Sequence, residues 1–353
     1  VSVDVDANMR LSVLDLVPVR TDQTTADALA ATVRLAQTAD RLGYTRYWVA
    51  EHHNMPSVGA TSPPVLIAYL AAQTTRLRLG SGGVMLPNHA PLVVAEQFAL
   101  LEAAAPGRID LGIGRAPGSD PVTSYMLRGP AGRDDRDIEQ FPDYLDHVRA
   151  MMSSAGVRVQ LREGDYRLKA TPAAATEPRL WLLGSSMYSA QLAAAKGLPY
   201  VFAHHFSGKG TEEALATYRS QFVPSELAAE PTTFLTVNAV VAETHDEATA
   251  LILPNLQMMA RLRTGEPLGP LGLVEDAQDV ELTPPQQHIV DSGLRRAVLG
   301  TPAEAADQLR ALAARFDVDE VMVHPVASAH RGTDPATAPA RETTLELLAK
   351  ELF

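Results

Sequence analysis

The chain has 353 residues, 42 acidic against 30 basic side chains, a net charge of -12 and no cysteine. The charge argues against a nucleic-acid partner, which calls for a basic surface to neutralise phosphates. The missing thiol excludes disulfides, thiolate catalysis and zinc–thiolate sites. No apolar run approaches the roughly 18 residues that span a bilayer, and no basic-then-apolar segment marks a secretory signal, so the chain reads as a cytoplasmic protein with no membrane partner.

The length suits one large α/β domain over 10–353, after an N-terminal extension at 1–9. Residues 11–16 predict the first strand. Thr24 and Asp27 form a capping-box start. Leu29, Val33, Ala36 and Ala39 then recur at helical spacing up to Gly43. The second strand is expected at 47–50, and Ser62-Pro63-Pro64 opens a helix with serine as cap and proline in its first turn. Residues 77–84 predict strand three, and Val94, Phe98 and Leu101 mark the apolar stripe of the helix after it. Pro106-Gly107-Arg108 turns the chain into strand four at 109–114. A helix is expected over about 135–152 and a small hairpin, outside the main fold, over 157–168.

Strand five is expected at 180–183, with its helix closing at Lys196-Gly197. Strand six follows at 200–203 and strand seven at 234–241. The stretch 264–292 is Pro/Gly-rich and reads as a long irregular loop, a candidate lid. Thr301-Pro302-Ala303-Glu304 caps a further helix, 320–323 is strand eight, and the last helix covers about 343–352. Eight strands alternating with helices predict an α/β fold, a closed (β/α)8 TIM barrel with insertions after strands four and seven. An open doubly wound sheet would need a Gly-rich turn after strand one, which Asp15-Leu16-Val17-Pro18-Val19 lacks.

Barrels of this kind place chemistry at the C-terminal ends of their strands. Strand two ends in Glu51-His52-His53. Neighbouring strand residues point opposite ways, so at most one of these histidines faces the barrel axis. Such a histidine could donate to a reacting oxygen or shuttle a proton, or serve structurally. Metal binding by Glu51, His52, His53, His204, His205 and His324 is the rival use. Metal-dependent hydrolase barrels carry a His-x-His pair at strand one, however, and Asp15-Leu16-Val17 supplies no imidazole, so no metal site is expected.

Gly82-Gly83 removes two side chains at the end of strand three, which suits close approach of a flat ring or a tight packing contact. Arg115, after strand four, suits an anion or a surface ion pair. Ser185, Ser186, Tyr188 and Ser189 combine hydroxyls with the free N–H groups of a helix start. That is a phosphate site or ordinary capping.

Several segments carry a family pattern in order: residues 48–53, 79–89, Ala95-Glu96-Gln97, 107–115 and Gly300-Thr301-Pro302. From Arg10 to the last helix the chain resembles the luciferase-like flavin monooxygenases. The resemblance implies reduced FMN at the C-terminal face, delivered by a separate flavin reductase, with O2 and a small organic substrate of the natural-product kind. It implies one oxygen atom transferred by hydroxylation, epoxidation or Baeyer–Villiger insertion. Gly82-Gly83 matches the pair that often carries a non-proline cis peptide against the flavin ring. Arg115, Ser186 and Ser189 match the flavin-phosphate contacts, His52 the histidine that acts at the flavin, and Glu51 its neighbour. Members often pair as homodimers through helices two and three. Gly114 stands where luciferase itself has a cysteine, and Ser185 where it has a glutamate, so light emission is not implied. A deazaflavin-dependent dehydrogenase on the same barrel is the alternative. A non-catalytic flavin-binding barrel is a further one, against which Glu51, His52 and Arg115 argue.

Overall fold

The computed structural model describes residues 9–116, 120–129, 139–162 and 164–353. All but the last residue of the expected extension at 1–9 lies outside these, as do Pro117, Gly118 and the start of the helix expected from 135. In chain order the first half consists of β1 (Arg10–Asp15), α1 (Thr25–Leu42), β2 (Arg46–Val49), α2 (Pro63–Ala71), β3 (Arg78–Ser81), β4 (Val84–Met85), α3 (Pro91–Ala104), β5 (Ile109–Gly114), α4 (Pro121–Arg128), α5 (Phe141–Met152), β6 (Val157–Leu161) and β7 (Gly164–Leu168). The second half runs β8 (Arg179–Gly184), α6 (Met187–Lys196), β9 (Tyr200–Phe202), α7 (His204–Ser207), α8 (Thr211–Ser220), β10 (Thr233–Val241), α9 (His245–Thr264), α10 (Val274–Gln278), α11 (Pro284–Arg296), β11 (Val298–Gly300), α12 (Pro302–Phe316), β12 (Glu320–Pro325) and α13 (Pro339–Leu352).

Parallel pairing runs β10-β12-β1-β2-β3-β5-β8-β9 and returns from β9 to β10, closing an eight-stranded barrel. The two insertions fall where the sequence puts them. The antiparallel β6–β7 pair forms its own two-stranded sheet after β5. The longer insertion, α9 to α11, follows β10, and β11 then pairs with the end of that strand. No helix among the described residues is long and apolar enough to cross a membrane.

The stretch 264–292 differs from expectation. It holds α10 and most of α11, and α9 runs into it as far as Thr264. Its prolines are helix openers: Pro284 and Pro285 occupy the first turn of α11 behind Thr283, where a missing N–H costs nothing. Before it, α9 fills 245–264 and runs straight through Pro254, a residue that ordinarily breaks a helix. Elsewhere local signals hold. The Thr24 hydroxyl accepts from the Asp27 amide at 3.2 Å while the Asp27 carboxylate accepts from the Thr24 amide at 2.9 Å, and Gly43 closes α1 in the left-handed region at φ 89°.

Strand periodicity stacks the barrel interior in layers. At the bottom, buried Arg46 donates to Glu320 at 2.6 and 2.9 Å and to Asp110 at 2.7 Å. Two residues further along each strand lie Leu14, Trp48, Phe234 and Met322, which with Trp181 and Val201 make an apolar plug. Trp48, Trp181 and Phe234 meet edge to face with centroids 5.0–5.7 Å apart. Two residues further still, Leu16, Ala50 and His324 reach the C-terminal mouth and line a pocket there. The alternate residues, among them Leu11, Val13, Val49 and Val321, face the helices in a second core.

Candidate active site

The pocket above the plug encloses about 1040 Å³, open mouth included. Its floor takes Leu14, Ala50, His52 and Gly82 from the ends of β1 to β3, and Asn238 and His324 from β10 and β12. Its outer wall takes His205 and Phe206 from α7, Met258 and Met259 from α9, and Ile289 from α11. A cleft of this size, mostly apolar with a few convergent polar groups, is of the kind that holds a cofactor or small substrate.

His52 faces this pocket and its neighbours turn elsewhere. The backbone N–H of His52 donates to the Ala60 carbonyl at 2.9 Å, and its buried Nδ1 has no partner among the described residues. Burial pushes the imidazole below its ordinary range, against the pull of Glu51 and with a further push from His53, so the ring is neutral. Buried Glu51 points away from the cavity. One of its oxygens accepts from the Met85 amide at 2.9 Å; the other lies 2.9 Å from His53 Nε2 and 2.8 Å from His89 Nε2. Burial alone would raise the pKa of Glu51. The hydrogen bonds from His89, His53 and Met85 outweigh burial and lower it, so the group is a carboxylate. Its part is to lock the end of β2 to the turn carrying β4.

His205 and His324, weighed in the sequence only as metal ligands, sit with ring centroids 6.2 Å apart. His205 Nδ1 pairs with Thr236 Oγ1 at 2.8 Å, and His324 Nδ1 with Asn238 Oδ1 at 3.0 Å. Burial, then the neighbouring imidazoles, pushes His205 down to about 4. Burial also pushes His324 well down. Among the described residues no three His, Asp or Glu are arranged to hold a metal ion. Asn238 and His324 pair level with each other toward the ends of strands seven and eight, where the strand-end rule would have found them, whereas Thr236 lies mid-strand, level with Met322.

The peptide between Gly82 and Gly83 is cis. A Cβ on Gly83 would stand 2.8 Å from the Gly112 carbonyl oxygen, and one on Gly82 would stand 2.8 Å from Leu14 Cδ1. Gly83 is therefore demanded by the barrel wall, since its neighbour is backbone, whereas at Gly82 the Leu14 side chain could give way; Gly82 also lines the pocket.

Arg115, Ser185 and Ser186 lie apart from that pocket, at the adjacent ends of β5 and β8 (Gly114 pairs with Leu183). The Arg115 guanidinium stacks 4.1 Å from the Tyr188 ring centroid and has no ion pair with any described residue. Ser185 and Ser186 are exposed at the start of α6, and the Ser186 side chain does not cap that helix. The helix therefore opens beside a guanidinium that no described residue neutralises, with N–H groups its Ser186 side chain does not cap, a ready anion cradle. Ser189 is placed differently. It is buried, its hydroxyl donates to the Ser186 carbonyl at 2.7 Å and meets the Tyr200 hydroxyl at 3.0 Å, and so it shapes the turn from within.

A (β/α)8 barrel with a neutral-histidine pocket over its C-terminal ends and an anion cradle on the same rim has the architecture of an enzyme. Residues 9–319 match the luciferase-like monooxygenase family. A "Luciferase-like monooxygenase" of Escherichia coli strain K12 is 38% identical over 347 residues, 97% of this chain and 99% of its own. The "N-acetyl-S-alkylcysteine monooxygenase" of Bacillus subtilis is 35% identical, covering 89% of this chain and 92% of its own. The crystal structure of apo-MsnO8 superposes with a TM-score of 0.83 at 33% identity, over 98% of this chain and 99% of that one. The chain belongs to the luciferase-like monooxygenases and is an oxidoreductase.

Proposed function

We propose that the protein is a two-component, FMN-dependent monooxygenase. It takes reduced FMN from a separate reductase and places one oxygen atom from O2 into a small organic substrate. The observation that carries this reading is the unpartnered, buried Nδ1 of His52 facing an apolar pocket beside side-chain-free Gly82. That is a surface on which a flat ring fits and finds one hydrogen-bonding group. The cradle of Arg115, Ser185 and Ser186 suits the phosphate of such a cofactor, and Ser189 holds the turn that presents it. Bound reduced FMN supplies the electrons that activate O2. The neutral His52 ring holds or moves a proton at Nδ1, the Leu14, Leu16 and methionine walls exclude water, and Glu51 fixes the backbone on which His52 sits. The name of the 35%-identical Bacillus relative supports a small thioether among the candidate substrates. A homodimer is part of the proposal, formed through α2 and α3, whose outer faces expose Val65, Tyr69, Val93 and Leu100.

The test is an anaerobic titration of the protein with reduced FMN, with reduced deazaflavin alongside, followed by admission of O2. FMN should bind. Arg115→Ala should weaken it by at least about tenfold, roughly 1.4 kcal/mol. His52→Ala should leave FMN bound but consume O2 without matching product. Binding of the deazaflavin alone would move the protein to the dehydrogenase alternative, and unchanged affinity in Arg115→Ala would remove that residue from the cradle.

A further inference from the structure

We propose that the substrate is an amphipathic organic anion whose carboxylate is gripped by Arg263 and Arg296 while its apolar arm reaches into the pocket; this rests on the monooxygenase reading of that pocket. The first observation is charge. The chain carries -12 overall, yet among the described residues no aspartate or glutamate lines the pocket, and the two ionic side chains that do are both arginines. The histidines add no charge near neutrality, because burial holds His204 and His205 down at about 4.

The second observation is convergence. Arg263 stands in the last turn of α9 and Arg296 at the end of α11, and both meet over α7. Arg263 donates to the Phe206 carbonyl, with its guanidinium carbon 5.2 Å from the Phe206 ring centroid. Arg296 Nη1 donates to Ser292 Oγ at 2.5 Å, and its Cδ passes close over Gly208. Neither forms an ion pair with any described residue. A helix C-terminus favours a cation, and Arg261 and Arg295 already meet that need. The dipole gives no reason for a second arginine at each terminus to turn into one acid-free pocket. Two guanidinium groups that repel each other and lie beside apolar walls are stabilised by a carboxylate, whose paired oxygens match their donor forks. Met258, Met259 and Ile289 beneath them suit an apolar arm.

The experiment measures equilibrium binding of N-acetyl-S-butylcysteine and of its uncharged primary amide by calorimetry, at low and moderate salt. Wild type should prefer the acid by at least about tenfold. Arg263→Met/Arg296→Met should abolish the preference, and Arg296→Lys should keep part of it. Equal binding of acid and amide, binding of neither, or a preference that survives in the double variant would each overturn the proposal. The circular dichroism spectrum of the double variant reports its folding, and its FMN affinity should stay unchanged; a tenfold loss of FMN affinity in the folded double variant would reassign the arginines to the cofactor phosphate and also overturn it. Oxygenation assays separate the two readings. Equal oxygenation of acid and amide sinks the anion proposal and leaves the monooxygenase standing. Arginine-dependent binding of an acid that is never oxygenated does the reverse.

Discussion

At the scale of single residues, the pocket is defined by imidazoles kept neutral. In an unfolded chain each protonates near the ordinary 6.5, whereas burial holds His204 and His205 to about 4 and pushes His324 well down. Between those values the unfolded state binds more protons than the folded one, so stability rises with pH across that window. It is complete above about 6.5 and erodes as the pH falls toward 4, by up to about 1.4 kcal/mol per pH unit for each such histidine. The urea midpoint should therefore drop steadily between neutral and mildly acidic pH, ahead of any carboxylate titration. His205→Gln/His324→Gln should flatten that slope, and a midpoint that stays level through this range would contradict the argument. Neutral rings also suit the proposed chemistry, since each keeps one nitrogen able to accept and one able to donate.

At the scale of elements, Glu51 is a fastener. It gathers the Met85 amide, His53 and His89 onto one buried carboxylate. Glu51→Ala should cost about 1–3 kcal/mol, the usual loss when buried donors such as the Met85 amide are left without an acceptor. Glu51→Gln, which keeps one acceptor, should cost less. Chemical denaturation of the three proteins checks this order, and a Glu51→Ala protein as stable as wild type would show that the loop does not depend on the carboxylate. Much of this level was legible in the sequence. Strand patterns, the Thr24/Asp27 box and the strand-end rule are local signals, and they led to all eight barrel strands and to the Glu51-His52-His53 cluster, within which the family resemblance singled out His52. The insertion after β10 was not legible. Pro254 within α9 and Pro284-Pro285 at the start of α11 look like breakers until packing decides otherwise. That Arg263 and Arg296 share a pocket depends on how two helices fold back over α7, which no spacing in the chain records. That the hydroxyl of Ser189, a candidate phosphate contact in the sequence, turns inward was not legible for a similar reason: its partner Tyr200 comes from β9.

At the scale of the whole molecule, the barrel is tied shut beneath its apolar plug. Ser12 on β1 donates to Glu320 on β12 at 2.6 Å, and Arg46 on β2 bridges Glu320 to Asp110 on β5. Arg78 on β3 binds the other oxygen of Asp110 at 2.7 Å, and Trp48 Nε1 donates to Asp110 at 3.0 Å. Five of the eight barrel strands thus share one charge network, and the Arg46 guanidinium also lies 4.9 Å from the Trp181 ring centroid. Desolvation offsets most of the attraction within such a network, so its presence adds little net stability, but an incomplete one is costly. Arg46→Met would leave Glu320 and the inner oxygen of Asp110 buried beside an apolar side chain, and should lower unfolding stability by about 3–5 kcal/mol. Arg46→Met/Glu320→Met, which removes the stranded charge as well, should recover part of that loss. A recovery of this kind in denaturant midpoints would identify the network as a device that sets strand register around the barrel. If the double variant is no more stable than Arg46→Met, the damage is to the packing of the Arg46 stem against the aromatic plug, and the ion pairs are incidental.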